Sequence, residues 1–116
     1  MKELDFGSYI IENIIMQQCN QYDDMGFRHG HWEQYHHNGQ LWLEGHYING
    51  QEDGYWEVYY ENGQLWTKGY YVNGKEHGYW ETYHDDGHLW AKGDCNMGNE
   101  SGYWVIDNKE YYYARM

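Results

Sequence analysis

The chain contains no proline, and its 116 residues include only two cysteines, two phenylalanines and seven lysines or arginines. Without proline, no strand carries a residue that is unable to donate a backbone hydrogen bond, which permits an uninterrupted sheet. Cys19 and Cys95 lack the spacing of a disulfide framework. No apolar run approaches the roughly 18 residues of a membrane helix, and residues 1–5 are too acidic for a signal peptide. We therefore expect a cytoplasmic protein without a membrane span.

Basic residues are scarce, because 19 aspartates and glutamates against seven lysines and arginines give a formal net charge of −12. Such a chain does not replace the counterions of nucleic acid and is not attracted to anionic lipid. We expect no direct nucleic-acid binding and no membrane association. The charge favours a protein partner with a basic surface, including one whose site normally accepts nucleic acid. It serves equally to keep an aromatic-rich sheet soluble and monomeric, and the sequence leaves both interpretations open.

Groups for hydrolytic catalysis are also few. The hydroxyl nucleophiles are four side chains, none at a nucleophile-like turn: Ser8, Thr67, Thr82 and Ser101. The adjacent Asp85 and Asp86 would suit glycoside hydrolysis, but Asp86 takes the turn position that Asn38 and Asn62 occupy elsewhere. We therefore expect a protein that is not an enzyme and has no cofactor.

The eight histidines invite a metal-site hypothesis. Seven of them cluster in two stretches of the chain: His29, His31, His36, His37 and His46, and then His84 and His88. However, the chain has no Cys-x-x-Cys pair and no helical His-x-x-x-His pair, and successive strand residues point to opposite faces. We therefore predict solvated histidines and no metal site.

The most informative feature that is present is a 24-residue repeat. Four glycines recur at this interval, and each stands two residues before a tryptophan: Gly30, Gly54, Gly78 and Gly102. Self-similarity at a fixed period is typical of stacked units that shield one another. Such an array offers an extended surface more naturally than a catalytic pocket.

The repeat also predicts the domain organisation. The array runs over residues 22–106, with three full copies over 30–53, 54–77 and 78–101. Residues 1–21 are predicted to be an N-terminal cap, either a strand or a short helix, and we favour a strand from Ile14 to Tyr22. Residues 107–116 are predicted to be a C-terminal cap, since end copies have no neighbour to cover them.

Turn residues divide each copy into two strands. The pairs Asn38-Gly39, Asn62-Gly63 and Asp86-Gly87 predict two-residue type I′ hairpin loops, because these residues tolerate positive φ. A second turn follows within Asn49–Gly54 and its equivalents. The predicted fold is all-β: an elongated, single-layer antiparallel β-meander.

A two-residue loop fixes the register of each hairpin. His37 then pairs with Gln40, and the further pairs of the first copy are Tyr35–Trp42, Glu33–Glu44 and Trp32–Gly45. The later copies give Tyr59–Trp66, Glu57–Lys68, Trp56–Gly69, Tyr83–Trp90, Glu81–Lys92 and Trp80–Gly93. A tryptophan laid over a cross-strand glycine stabilises a sheet by aromatic rescue. Alternation places Trp32, Leu41, Gly45 and Tyr47 on one face, and Glu33, Tyr35, Trp42 and Glu44 on the other.

The repeated motif, read from Gly54 to Gly78, is Gly-x-Trp-Glu-x-Tyr-x-x-Asn-Gly-Gln-Leu-Trp-x-x-Gly-x-Tyr-x-Asn-Gly-x-x-x-Gly. It resembles the MORN repeat in its bacterial variant, and the likeness covers about residues 22–106. The resemblance implies a twisted, single-layer sheet of successive hairpins that acts as a scaffold for proteins or lipids, with no catalytic residues in the repeat. Stand-alone bacterial members of the family are often labelled antitoxin-like.

The candidate partner-binding residues are six aromatic residues and two glutamates: Tyr35, Trp42, Tyr59, Trp66, Tyr83, Trp90, Glu57 and Glu81. Contiguous exposed aromatic residues mark binding surfaces, although the same rings also serve as structural cross-strand pairs. We expect a protein partner to dock on this strip, in an antitoxin-like or inhibitor role. The alternatives are an acidic mimic of nucleic acid in viral or plasmid counter-defence, a carbohydrate-binding platform and a lipid-contacting repeat. A homodimer through a sheet edge or face also stays open.

Overall fold

Residues 19–114, the part of the chain that the computed structural model describes, form one open sheet of nine antiparallel strands in chain order. The strands are β1 (Gln21–Tyr22), β2 (Arg28–Tyr35), β3 (Leu41–Ile48), β4 (Gln51–Tyr59), β5 (Leu65–Val72), β6 (Lys75–Tyr83), β7 (Leu89–Asn96), β8 (Asn99–Ile106) and β9 (Lys109–Tyr113). The molecule measures 56 × 34 × 17 Å, so it is a thin sheet. The predicted all-β antiparallel meander is confirmed.

The two predicted caps are described only in part. Residues 1–18 lie outside the described residues, and so does most of the predicted strand Ile14–Tyr22, whose last two residues form β1. The predicted C-terminal cap contains β9, which continues the sheet by pairing with β8. Within residues 19–114, no helix has the length and apolar character to cross a membrane.

The Asn-Gly turn of each copy is one residue longer than predicted. In the first copy the His36 N–H donates to the Gln40 carbonyl at 2.8 Å, and the Gly39 N–H donates to the His36 carbonyl at 2.9 Å. Three residues therefore form the loop. Gly39 has a φ of 92°, whereas Asn38 does not have a positive φ, which is a type I turn followed by a glycine bulge. The prediction of type I′ turns at Asn-Gly and Asp-Gly was wrong.

The reason lies in a side chain that bridges neighbouring turns. Asn38 Oδ1 accepts from the Gln40 N–H at 2.9 Å, and Asn38 Nδ2 donates to the Glu61 carbonyl of the next turn at 2.8 Å. Asn62 bonds the Asp85 carbonyl in the same way, also at 2.8 Å. Asparagine is therefore used at this position to connect successive turns and not for positive φ.

The longer loop changes the register next to it. Tyr35 pairs with Leu41, and Trp42 is the extra residue before the pair Gln34–Leu43. The same shift recurs in the second and third hairpins, where Tyr59 pairs with Leu65 and Tyr83 with Leu89. The predicted pairs next to the loops were therefore wrong: His37–Gln40, Tyr35–Trp42, Tyr59–Trp66 and Tyr83–Trp90.

Type I′ geometry occurs instead at the second turn of each copy. Asn49 and Gly50 have φ of 52° and 80°, and Asn73-Gly74 and Met97-Gly98 repeat this pattern. Positive φ at both central residues matches the right-handed twist of the flanking strands. These two-residue turns join each hairpin to the next.

Beyond the bulge, the predicted register is confirmed, but the rings of Trp56 and Trp80 do not cover their predicted partners Gly69 and Gly93. Trp56 lies opposite Gly69, yet a Cβ added to Gly69 would overlap the ring of Trp80, and one added to Gly45 would overlap that of Trp56. The Trp56 indole N–H donates to the His46 carbonyl at 3.1 Å. Each ring thus lies over the strand before its own and fastens one hairpin onto the previous one.

A positive-φ glycine produces this displacement. Between the pairs Glu44–Glu57 and His46–Asp53 the register shifts, and Gly54 lies in the shifted segment with a φ of 84°. A bulge bends its strand and redirects the side chains that follow. Because nothing lies within 4 Å of the Cβ that Gly54 would carry, we attribute the glycine to its φ and not to lack of space.

The core is a ladder of rings on one face of the sheet, which we call the Trp face. Its rings meet edge to face, with centroids 5.0–6.0 Å apart and interplanar angles of 81–84°, in the order Trp32, Tyr47, Trp56, Tyr71 and Trp80. Cys95 takes the next tyrosine position, and Trp104 follows with its ring over Gly93. Edge-to-face contacts stabilise aromatic pairs beyond their buried area by about 0.5–1.5 kcal/mol. The ladder therefore stands in for an aliphatic core.

Candidate protein-binding face

A row of charged residues crosses the opposite face, which we call the Glu face. From β2 to β7, consecutive members of the row are register partners: Glu33, Glu44, Glu57, Lys68, Glu81 and Lys92. From β4 onward the charges alternate, and Lys68 Nζ lies 3.5 Å from Glu81 Oε1. Across β2, β3 and β4, three glutamates are neighbours with no lysine in the row between them. The row is therefore acidic at one end and balanced at the other.

Two tyrosines of its own strand bind each glutamate of the second and third copies. The hydroxyls of Tyr79 and Tyr83 donate to the Glu81 carboxylate at 2.8 and 2.6 Å. The bond from Tyr83 is the largest cause that lowers the pKa of Glu81, and the same bond raises the pKa of Tyr83 to about 12. The carboxylate is thus held in its charged form, and both phenol rings are held in place.

The second copy repeats this pair of hydrogen bonds at Glu57, one of the predicted binding residues. Tyr55 and Tyr59 donate to the Glu57 carboxylate at 2.8 and 2.6 Å. Burial first, and then this hydrogen bond, raises the pKa of Tyr59 to about 12. An ionised carboxylate has about four lone-pair positions. Glu57 therefore retains acceptor capacity for a partner beyond the two internal bonds.

The predicted binding residues divide into two sets. Tyr35, Tyr59 and Tyr83 lie on the Glu face and donate to its glutamates. Trp42, Trp66 and Trp90 lie at the register shift next to the Asn-Gly turns, each about 40% exposed. Each tryptophan packs against the residue that follows the preceding strand (β2, β4 or β6) and not against the predicted tyrosine. The contacts are Trp42 on His36, Trp66 on Tyr60 and Trp90 on His84. The structure therefore brings the eight residues together as a tyrosine–glutamate row and a separate line of tryptophans.

The Glu face carries a second set of exposed rings that was not predicted from the sequence. Tyr55, Tyr70, Tyr79, Tyr103 and Tyr112 are 42–76% exposed. Tyr55 contacts Tyr70 across β4 and β5 with ring centroids 5.3 Å apart, and Tyr103 contacts Tyr112 at 4.7 Å. The signal was present, since the position between the repeated glycine and tryptophan is tyrosine in three copies.

Two of these tyrosines line a shallow depression at the C-terminal end of the Glu face. It has a volume of about 290 Å³, and its lining includes the rings of Tyr79 and Tyr103 together with Lys92, Asp94 and Glu110. Aromatic walls and two carboxylates suit an Arg or Lys side chain, which they would hold by cation–π and ionic contacts.

The first copy also gathers three side chains of metal-ligand type. The donor atoms of Cys19, His31 and Glu33 all lie within 4.8 Å of one another. Burial, followed by the charges of Glu33 and Glu44, raises the pKa of the Cys19 thiol. The hydrogen bond from Tyr35 is the first cause that lowers the pKa of Glu33, and the bond to His31 is the second. The cluster has no Cys-x-x-Cys spacing, so the sequence pattern did not predict it.

Comparison with known families agrees with the strand pattern. The family model described as MORN repeat variant matches residues 28–49, 52–73 and 76–94, more than half of the chain. These segments coincide with the hairpins β2–β3, β4–β5 and β6–β7. Comparison with curated proteins gave no match. MORN repeats are generally thought to mediate interactions with proteins or membrane lipids. The chain belongs to the MORN repeat variant family.

Proposed function

We propose that this protein is a non-enzymatic binding module that captures a basic segment of a partner protein on its Glu face, in an antitoxin-like or inhibitor role. One observation carries the proposal: exposed tyrosine rings lie beside a row of carboxylates on one face of an open sheet. Tyr70 and Tyr103 are 53% and 76% exposed. Tyrosine is among the residues most enriched in binding hot spots.

Internal hydrogen bonds prepare this face for binding. Because Glu57 and Glu81 each fix two tyrosine hydroxyls, these rings lose little further rotamer freedom when a partner covers them. Each side chain that a partner immobilises otherwise costs roughly 0.5–1.5 kcal/mol. A pre-ordered tyrosine row is therefore an efficient docking surface.

The charge distribution favours a basic protein segment. The neighbouring Glu33, Glu44 and Glu57 attract Lys or Arg, and the net charge of −12 steers a basic partner toward the sheet. From β5 onward, Lys68 and Lys92 interrupt the negative row. A mimic of nucleic acid needs an unbroken line of negative charge, so the alternation favours protein capture over mimicry.

A pull-down with matched variants tests this proposal. Tyr70→Ala/Tyr103→Ala removes two exposed rings from the Glu face. Tyr22→Ala/Phe27→Ala removes two other rings, 63% and 50% exposed, of which Tyr22 packs against Trp32 on the Trp face and Phe27 lies beside Gly50. We expect the wild type and the second variant to retain a common basic partner, and the first variant to lose it, with all three folded by circular dichroism. Equal capture by both variants would exclude the Glu face as the docking surface.

A further inference from the structure

The Cys19–His31–Glu33 cluster lies at the junction between the N-terminal segment and the first full hairpin. Cys19 forms an isolated bridge with His31, and His31 Nε2 lies 3.2 Å from Glu33 Oε2. All three side chains are half-buried. Thiolate sulfur, imidazole nitrogen and carboxylate oxygen are the donors that zinc prefers, at about 2.0–2.3 Å in a tetrahedral arrangement.

The backbone around the cluster is fixed by one asparagine. Asn20, with a φ of 56°, donates its Nδ2 to the Glu33 carbonyl at 3.0 Å and accepts from the Glu33 N–H at 2.8 Å. Its own N–H donates to the His31 carbonyl at 2.8 Å. Cys19 is thus held beside β2 by three hydrogen bonds of its neighbour. The three donor atoms lie within 4.8 Å of one another, compared with the roughly 3.3–3.8 Å that separates the ligands of a tetrahedral zinc ion.

The other copies show that these donors are special to the first one. The position of His31 is tyrosine in the later copies, at Tyr55, Tyr79 and Tyr103, so the fold does not require histidine there. The position of His46, the register partner of His31, is Tyr70 or Asp94. Only the first copy places two histidines opposite each other, with ring centroids 5.9 Å apart.

The charge row points to a cation at the same place. Lys68 and Lys92 balance the glutamates of the later copies, but the equivalent residue of the first copy is Glu44. Glu44 lies directly opposite both Glu33 and Glu57. Like charges in direct cross-strand pairs destabilise a sheet, and a divalent cation beside Glu33 relieves this repulsion.

We propose that Cys19, His31 and Glu33 bind a zinc ion, and that the facing His46, which lies outside the 4.8 Å cluster, turns toward the ion as the fourth ligand. The ion ties the segment before the array to the first full hairpin. It closes the end of the sheet where Trp32 has no preceding full copy, and where its indole N–H reaches the Gln21 carbonyl at 3.1 Å. The end units of a repeat array need such protection, and structural zinc sites stabilise the fold directly. This proposal is independent of the partner-binding proposal.

Cobalt and zinc titrations of the full, metal-stripped chain test the site. We expect Co²⁺ to bind in a 1:1 ratio with a thiolate-to-cobalt charge-transfer band and tetrahedral d–d bands, and Zn²⁺ to displace it. Cys19→Ser should lose the charge-transfer band. Cys95→Ser is the matched control, since it removes the other cysteine of the chain, and should keep the band.

A further variant separates ligation from folding. His31→Tyr introduces the residue that the later copies carry at this position, so it preserves the sheet, and it should weaken metal binding by about tenfold or more. Circular dichroism confirms that each variant is folded. The proposal is overturned if the folded wild type shows no thiolate band, if the band survives in Cys19→Ser, or if His31→Tyr binds Co²⁺ as tightly as the wild type.

Discussion

Replacing Gly69 with alanine tests whether each tryptophan fastens its hairpin onto the preceding strand. Gly69 does not have a positive φ, so alanine meets no backbone strain there, but its Cβ overlaps the ring of Trp80. That ring, 6% exposed, must move and lose its hydrogen bond of 3.0 Å to the Tyr70 carbonyl. Overpacking costs roughly 1–3 kcal/mol and a hydrogen bond about 0.5–1.5 kcal/mol. We therefore expect the free energy of unfolding to fall by about 2–4 kcal/mol.

A double-mutant cycle in urea, followed by circular dichroism, identifies which ring is responsible. Trp80→Ala alone should cost about 3–5 kcal/mol, and adding Gly69→Ala should cost little more, because the overlap has gone. Trp56 is the register partner of Gly69 but does not cover it, so Trp56→Ala should couple with Gly69→Ala much more weakly than Trp80→Ala does. A neutral Gly69→Ala, or coupling to Trp56 and not to Trp80, would refute the interlocking arrangement.

Three further predictions concern stability. Hydrogen bonding lowers the folded pKa of Glu81 below its ordinary 4.5, so the stabilisation from its carboxylate is present above pH 4.5 and is lost as the pH falls through the lowered pKa. Tyr83→Phe should therefore reduce the free energy of unfolding by about 0.5–1 kcal/mol at pH 7 and much less at pH 3 in urea titrations. Cys95→Tyr should fill an open groove of about 300 Å³ beside Trp80 and raise the free energy of unfolding by about 0.5–2 kcal/mol in thermal or urea unfolding, whereas a loss would mean that the groove cannot accept a ring. Met97→Asn should stabilise the turn by about 0.5–1 kcal/mol by the same measurement, because Met97 has a φ of 49° that asparagine tolerates better; no gain would mean that this φ carries no strain.

The fold could be predicted because the signals repeat. Four glycine–tryptophan pairs at one interval, together with regular turns, predict a β-meander. The register of Trp56 with Gly69 followed from counting residues outward from the turn. Counting Cα positions, however, does not give the direction of a ring. The bulge at Gly54, with its φ of 84°, is what moves Trp56 over Gly45, and a pattern that repeats in every copy does not reveal it.

The turns and the site show what sequence patterns omit. Asn38-Gly39 has the composition of a type I′ turn, but the Asn38 side chain is committed to the Glu61 carbonyl of the next turn, which is a contact between copies. The sequence predicts half of the tyrosines that donate to Glu57 and Glu81: Tyr59 and Tyr83, but not Tyr55 and Tyr79. Cys19 lies outside the repeat, so no spacing connects it with His31.

Cross-saturation NMR with the partner recovered by the pull-down measures most directly whether the Glu face binds. Irradiation of the unlabelled partner should attenuate the backbone amide signals of Tyr70 and Tyr103. It should leave unchanged the amide signals of Glu76 and Glu100, which line the Trp face beside Tyr71 and Cys95. Attenuation confined to Glu76 and Glu100 would show that the partner docks on the Trp face, and would contradict the proposal that the Glu face binds it.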